Sequence, residues 1–201
     1  MIVLAVDTCF AACQVAVLNG DTVTVRSEAM ERGHQERLAG MVAEVLAEAG
    51  VKFADLSRIG VTVGPGSFTG LRVGLAFAKG MGLALGVPLV GVGALEALAA
   101  GRNGRVAAVL DARREQVHLQ VFEDGASLAA PEAVDIPVAL ERLAALPAGV
   151  LVGPGADLVA ASGWTLDVAP WPDIAAVAAL AARLDPAEAP PTPLYLRGAY
   201  A

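Results

Sequence analysis

A glycine-rich segment has the residue types that most resemble a ligand-binding loop. It reads Gly64, Pro65, Gly66, Ser67, Phe68, Thr69, Gly70, Leu71, Arg72, Val73 and Gly74. A glycine-rich turn that leads into a helix presents backbone N–H groups and a positive helix end to an anion such as phosphate. The Walker motif requires a second glycine five positions after Gly64, followed by a lysine, and Thr69 stands there instead. The dinucleotide-binding motif fails at the same threonine, so the segment favours a turn over a nucleotide site.

The segment also carries the signals of a tight turn that begins a helix. Pro65 fixes φ near the value that starts a turn, and Gly66 can adopt a positive φ. Ser67 or Thr69 can then cap the helix. Arg72 follows among apolar residues. Its guanidinium either holds a carboxylate or carbonyl across a contact or lies along the helix surface, and both interpretations are open.

Few other residues are suited to chemistry. Asp7 and Thr8 follow the first apolar run, where an aspartate most often accepts hydrogen bonds from the next turn. We expect His34 to cap or order a helix, and Leu38, not a second histidine, stands four positions later. Asp111 is expected to pair with Arg113 or Arg114 at a strand end. None of these residues stands in a pattern that activates a nucleophile.

The two cysteines predict neither disulfides nor a metal centre. Cys9 and Cys13 are too few and too close for a disulfide framework, and only two histidines accompany them. We expect both cysteines to be small buried apolar residues. The first apolar run has no basic region before it, unlike a signal peptide, and no uncharged stretch reaches membrane-spanning length. The sequence therefore predicts a soluble, cytoplasmic protein without bound metal.

The composition argues against nucleic-acid binding as the main role of this chain. The 201 residues are 56% hydrophobic and carry 14 basic against 21 acidic side chains, a net charge of −7. Affinity for phosphate backbones depends on clustered lysine and arginine. The local pair Arg113 and Arg114 forms either a small anion-facing patch or a solvated turn. Any RNA contact is expected to be made chiefly by another protein.

Hydrophobic periodicity predicts a first lobe in which three strands precede helices and strands in alternation. A hairpin turn at Asn19 and Gly20 joins the second and third strands. The predicted strands cover residues 2–6, 14–18, 22–28, 59–63 and 89–92. One amphipathic helix is predicted over 36–49, and another follows the glycine-rich segment. This order is typical of a ribonuclease H-like lobe.

The second predicted helix has small residues every four positions along one side. They are Gly70, Gly74, Ala78, Gly82 and Gly86. Interior glycines weaken a helix by roughly 1 kcal/mol each relative to alanine, so close packing must compensate. The stripe faces either the chain's own sheet or a partner helix, and both interpretations are open.

A second, smaller lobe is predicted after a polar, glycine-containing stretch at 101–105. We place the domains at 1–103 and 104–201. The second domain is predicted to contain strands at 106–110, 116–122 and 150–152 and helices at 138–146 and 174–184. Four prolines then indicate an extended tail, which ends in Leu194, Tyr195, Leu196 and Arg197.

With these pieces in order, the chain resembles the TsaB family, also called YeaZ, over nearly its whole length. The resemblance rests on the glycine-rich segment, on Asp7 and Thr8, on 34–38, on 110–113 and on 194–197. It implies an α/β, actin and Hsp70-like ATPase (ASKHA) fold with two ribonuclease H-like lobes, the second reduced. It also implies a non-catalytic subunit that binds and activates TsaD, which forms N6-threonylcarbamoyladenosine in tRNA beside the anticodon.

The resemblance extends to partners and cofactors. It implies a heterodimer with TsaD that TsaE joins, with tRNA contacted only through the complex. ATP and Mg²⁺ are used by the partners, and this subunit alone binds no cofactor. Cys9 replaces a glycine of the first phosphate loop of the ATPase clan, so nucleotide affinity is expected to be weak or lost.

We predict that the two helices present a joint apolar surface to two helices of TsaD. The residues assigned to this surface are Leu38, Met41, Val42, Val45, Gly70, Leu71, Gly74, Ala78 and Met81. Without TsaD, the surface could pair with a second copy about a two-fold axis. Two other functions compete: a small-molecule kinase or nucleotide-binding protein of the actin clan, and a peptidase, for which no serine or cysteine has a suitable histidine and acid.

Overall fold

The structure is a computed structural model that describes residues 1–196, except for the side chains at 161 and 162. In chain order the strands are β1 (Ile2–Phe10), β2 (Ala12–Asn19), β3 (Thr22–Ala29), β4 (Arg58–Thr62), β5 (Leu89–Val92), β6 (Arg105–Arg113), β7 (Gln116–Glu123), β8 (Ala126–Ser127), β9 (Glu132–Asp135), β10 (Val150–Val152) and β11 (Thr165–Asp167). The helices are α1 (His34–Glu48), α2 (Phe68–Leu85), α3 (Ala94–Ala99), α4 (Ile136–Ala144) and α5 (Ile174–Arg183). Arg197, predicted to end the tail motif, lies outside the described residues.

The first sheet has the strand order β3-β2-β1-β4-β5. β1, β2 and β3 form an antiparallel meander, and β4 and β5 extend it in parallel from β1. The register pairs Leu4 with Val17 and with Ile59 on one face of the sheet. Val3 and Ala5, which point to the other face, are also fully buried, so the centre of the sheet is apolar and buried on both faces. The predicted order of a ribonuclease H-like lobe is confirmed.

The second sheet repeats this order as β11-β10-β6-β7-β8, with β9 also pairing with β7. β6 and β7 are antiparallel, and β10 and β11 add in parallel. Its core includes Leu119, Leu143, Leu151 and Trp164. The indole N–H of Trp164 donates to the carbonyl oxygen of Leu143 on α4 at 3.1 Å. The α/β class with two ribonuclease H-like lobes is therefore present.

Sequence patterns predicted the longer elements and two short strands but missed the other short elements. β5 and β10 have their predicted bounds, whereas β1 and β6 run several residues beyond the predicted apolar runs. α3, β8, β9, β11 and the 3-10 turns are too short to show a period, and nothing in the sequence predicted them.

Helix α5 lies in the first compact unit, although the predicted boundary placed it in the second domain. One unit consists of Met1–Ala97 with Asp173–Leu194, and the other contains Leu98–Pro172. α5 packs on β1, β2 and β4. A Cβ on Gly60 would lie 2.4 Å from the Cβ of Ala181, so only glycine admits the helix this closely. Linear order alone could not show this return.

Helix α2 is also long and apolar enough to cross a membrane, judged by length and composition only. It carries Arg72 and Lys79, and its glycine side lies against the first sheet. Packing on that sheet accounts for the apolar residues of the buried side of α2.

Candidate partner-binding surface

The glycine stripe of α2 packs against the chain's own sheet. A Cβ added to Gly70 would lie 1.9 Å from the carbonyl oxygen of Thr8, and one on Gly74 would lie 2.7 Å from the Thr8 hydroxyl. A Cβ on Gly82 would meet Leu89 at 2.7 Å. The Thr8 hydroxyl donates to the carbonyl oxygen of Gly70 at 2.6 Å. Of the two interpretations that the sequence left open, the intramolecular one holds.

The turn before α2 is built differently from the prediction. Gly64, not Gly66, has the positive φ, at 97°. Gly66 is needed for a close approach instead, because a Cβ there would lie 2.6 Å from the carbonyl oxygen of Cys9. Ser67 is the N-cap of α2, and its hydroxyl accepts from the N–H of Gly70 at 3.2 Å, so this part of the prediction is confirmed.

Asp7 sits in a buried hydrogen-bond network at the C-terminal half of β1. Its carboxylate accepts from the backbone N–H of Cys9 and from the amide of Gln14, each at 2.9 Å, and from the Thr62 hydroxyl. Burial raises the pKa of Asp7, and these hydrogen bonds offset the rise in part. The hydrogen bond from Cys9, two residues later, is the local one predicted for this aspartate, and it lies where the pairing of β1 becomes irregular between Asp7 and Phe10.

The proline-rich tail contacts the chain just before α2 and strand β5. The N–H of Leu194 donates to the carbonyl oxygen of Val63 at 2.7 Å, and that of Gly91 donates to Ala189 at 2.8 Å. A Cβ on Gly91 would lie 2.6 Å from the carbonyl oxygen of Pro190. The position at which α2 begins is thus fixed by β1 and by the tail.

Most residues predicted to contact a partner are interior residues, so that assignment is wrong. The sheet under α1 and α2 covers the face that the sequence pattern selected, because the most regular apolar stripe of a helix faces its own core. Those buried are Leu38, Met41, Val42, Val45, Gly70, Leu71, Gly74 and Ala78. Met81 is partly exposed, and its contact with a partner stays a prediction.

The opposite side of the two helices is exposed and carries apolar and small side chains among its charged ones. We call it the outer face. On α2 the side chain of Leu83 is 88% exposed and that of Phe68 is 54% exposed. The small exposed residues of the outer face are Ala39, Gly40, Ala43 and Ala47 on α1 and Ala76, Gly80 and Ala84 on α2. The sequence signal for it was present: α1 repeats alanine every four residues outside its apolar stripe.

A groove of about 490 Å³ lies between the two helices on the outer face. It is lined mainly by apolar side chains, with polar groups at Gln35, Thr69 and Arg72. Phe68 and Phe77 are its large walls, and Val73 and Ala76 lie between them. The guanidinium of Arg72 stacks on the Phe68 ring, 3.7 Å from its centroid. A groove with this lining can hold an apolar side chain.

An ion-pair network holds α1 against β3 and thereby fixes one wall of the groove. Arg37 donates to Glu28 at 2.6 and 2.7 Å and to Glu44 at 2.7 and 2.9 Å. Arg26 pairs with Glu44 and with Glu48. Hydrogen bonds from Arg37 lower the pKa of both Glu28 and Glu44. The pairs are exposed, so their value lies in orientation more than in stability.

The remaining predicted residues are placed as follows. His34 is the first residue of α1 and is buried, but Gly33 is the N-cap and His34 Nε2 has no hydrogen-bond partner among residues 1–196. Asp111 pairs with Arg113 at 3.0 Å, as predicted. Both cysteines are free and buried. No group of three metal-binding side chains occurs in the part of the chain that the structure describes.

Comparison with known proteins decides the family. The family model described as TsaD, tRNA N6-adenosine threonylcarbamoyltransferase, matches residues 24–185. The chain belongs to this family. The curated protein TsaB, named for tRNA threonylcarbamoyladenosine biosynthesis, of Escherichia coli strain K12 is 38% identical over 128 residues, 61% of this chain and 55% of that protein. TsaB of Bacillus subtilis strain 168 is 36% identical over 127 residues, 61% of this chain and 56% of that protein.

Solved structures agree with this placement over the whole chain. A crystal structure described as an uncharacterized protein with similarity to peptidase YEAZ from Pseudomonas aeruginosa has a TM-score of 0.82 and 30% identity, covering 98% of this chain and 99% of that one. YeaZ from Pseudomonas aeruginosa gives 0.80 and 29%, covering 97% and 99%. The predicted resemblance to TsaB and YeaZ is confirmed. The chain spans about half the length of the curated TsaB relatives it matches.

Proposed function

We propose that this chain is a non-catalytic scaffold subunit that binds and activates a TsaD subunit for the formation of N6-threonylcarbamoyladenosine in tRNA. The observation that carries the proposal is the outer face of α1 and α2. It combines exposed apolar side chains, small residues that admit a second pair of helices, and a groove. Two helices against two helices can reach the roughly 1,600 Å² that a stable pair buries.

The TsaB-type sequence supports the choice of TsaD as the partner, since both the curated relatives and the matching family model concern this one tRNA modification. In the proposed complex TsaE joins the pair, ATP and Mg²⁺ are used by the partners, and tRNA is contacted through the complex. A chain with a net charge of −7 is poorly suited to hold RNA by itself. This chain acts in the cytoplasm and binds no cofactor alone.

The hydrogen bonding and burial of Asp7 support the non-catalytic part of this proposal. Its oxygens accept from three protein donors and are fully buried, so they do not face a bound phosphate. The competing kinase function would need Asp7 to be accessible to a bound nucleotide. Titration of the purified chain with ATP and Mg²⁺ by calorimetry separates the two, because tight binding would favour a kinase.

Substitution of one exposed leucine tests the surface. Leu83→Glu places a carboxylate on the outer face, and truncated or charged anchors in a contact commonly weaken binding tenfold or more, about 1.4 kcal/mol. Leu128→Glu changes a leucine of the second lobe that is 53% exposed and serves as the matched control. Affinity for TsaD by calorimetry, and tRNA modification by the reconstituted complex, should fall only for Leu83→Glu. Equal activity of the two variants, with both folded, would place the contact elsewhere.

A further inference from the structure

The outer face of α2 carries two positive charges and no negative one. Arg72 and Lys79 are the only ionisable residues in α2, and both are exposed. They are seven residues apart, which is two helical turns or about 10.5 Å, so they lie on the same side of the helix. Neither forms an ion pair with any side chain of residues 1–196.

The side chain of Arg72 is ordered before any partner binds. Its guanidinium stacks on the Phe68 ring at 3.7 Å, which fixes the plane of the side chain while its N–H edges stay available. A side chain that is already ordered loses less conformational entropy when it pairs. The groove lies beside it, with Val73, Ala76 and Phe77 continuing along the same helix.

The neighbouring helix α1 has a net negative charge. It carries Glu36, Glu44 and Glu48 against Arg37. Glu44 pairs with Arg26 and Arg37 and Glu48 pairs with Arg26, so part of this charge is compensated, but the whole chain remains acidic. An acidic segment is therefore repelled from most of the molecule and attracted to α2. Electrostatic complementarity of this kind sets the orientation of a partner and its rate of association.

We propose that the partner subunit lays an amphipathic helix on α2, with two carboxylates about two turns apart that pair with Arg72 and Lys79. An apolar side chain between the carboxylates enters the groove. This inference rests on the proposed function and adds the chemistry of the partner segment to it. Two cations could also meet two phosphates of RNA, but they lie beside Phe68 and Phe77 and in an acidic chain, which favours a protein helix.

Neutralisation of the two cations tests the proposal. The variants are Arg72→Gln, Lys79→Gln and their double, with Lys52→Gln, the other lysine and also exposed, as the matched control. Each single change should weaken binding to purified TsaD about fivefold, and the double roughly by the product. The wild-type Kd should rise with ionic strength, and the double variant should lose most of that dependence. Unchanged melting temperatures show that the fold is intact.

The outcomes separate the two hypotheses. If the wild type fails to bind TsaD, the proposed function fails. If the wild type binds and the double variant binds equally well with the same salt dependence, the function stands and this inference is overturned. It is also overturned if the variants lose only self-association, or if the wild-type chain alone binds tRNA and the double variant does not. Restored affinity between Lys79→Glu and a TsaD variant with one interface carboxylate changed to lysine would identify the paired position.

Discussion

At the scale of single residues, the sequence identified the right positions but not always their roles. Asp7 and Ser67 each accept the local hydrogen bond expected of their type, whereas the Thr8 hydroxyl donates to Gly70, which is distant in sequence. Arg72 also stood out, and it lies on a phenylalanine ring at the groove. The positive φ predicted for Gly66 falls on Gly64, and Gly66 is needed instead for the close approach of Cys9, which is distant in sequence.

Asp7 predicts a specific dependence of stability on pH. Its folded-state pKa lies above the unfolded value of 3.8, so the folded chain keeps a proton that the unfolded chain loses. This contribution is complete below pH 3.8 and is lost as the pH rises through the folded pKa. Asp7→Asn removes it while keeping one acceptor oxygen. The free energy of unfolding of the wild type should therefore fall relative to that of Asp7→Asn as the pH rises.

Urea unfolding at several pH values, with equal m-values, measures this difference. The other carboxylates are common to both chains and cancel in the comparison. If the difference in unfolding free energy stays constant between about pH 3 and 8, the range over which carboxylates titrate, then Asp7 ionises in the folded chain as it does in the unfolded one.

At the scale of elements, helix α2 has two sides with opposite requirements. The Gly70 side is in contact with β1, whereas Gly80 is on the outer face with nothing within 4 Å of an added Cβ. Both are interior glycines of one helix, so sequence alone treats them alike. Burial determines which glycine is structural and which is available to a partner.

Matched substitutions distinguish the two glycines. Gly70→Ala should destabilise the chain by about 3 kcal/mol, because its Cβ would overlap the carbonyl oxygen of Thr8 and backbone must move. Gly80→Ala should stabilise it by up to about 1 kcal/mol through helix propensity. Midpoints of urea unfolding compare the two. Similar midpoints would mean that α2 does not lie on β1 as described.

At the scale of the whole molecule, the first lobe depends on a helix from the far end of the chain. α5 buries Ile174, Val177, Ala178, Leu180 and Ala181 against the first sheet. Burial of the three larger side chains alone is worth several kcal/mol, a large part of the 5–15 kcal/mol by which domains are typically stable. The guanidinium of Arg58 on β4 also donates to the carbonyl oxygens of Ala181 and Leu184, both at 2.8 Å.

Truncation tests this dependence. A chain that ends at residue 172 lacks α5, and the amides of β1 should then exchange with solvent as in an unfolded lobe. A chain that ends at residue 184 keeps the helix, so it should protect β1 while melting at a lower temperature than the full chain. Hydrogen exchange read by mass spectrometry compares them. Protection of β1 in the shorter chain would show that α5 is dispensable.

The sequence by itself determined the family, the order of the longer strands and helices, and the residues that shape the turn before α2. Local chemistry is sufficient for these, because periodicity, capping and glycine content are properties of neighbouring residues. Only the tertiary structure decided that α5 returns to the first sheet and that the glycine stripe faces inward. A helix with apolar residues on several sides carries no local mark of which side its own sheet will cover. Contacts between residues far apart in sequence settle that choice, 62 positions apart for α2 and 123 for α5.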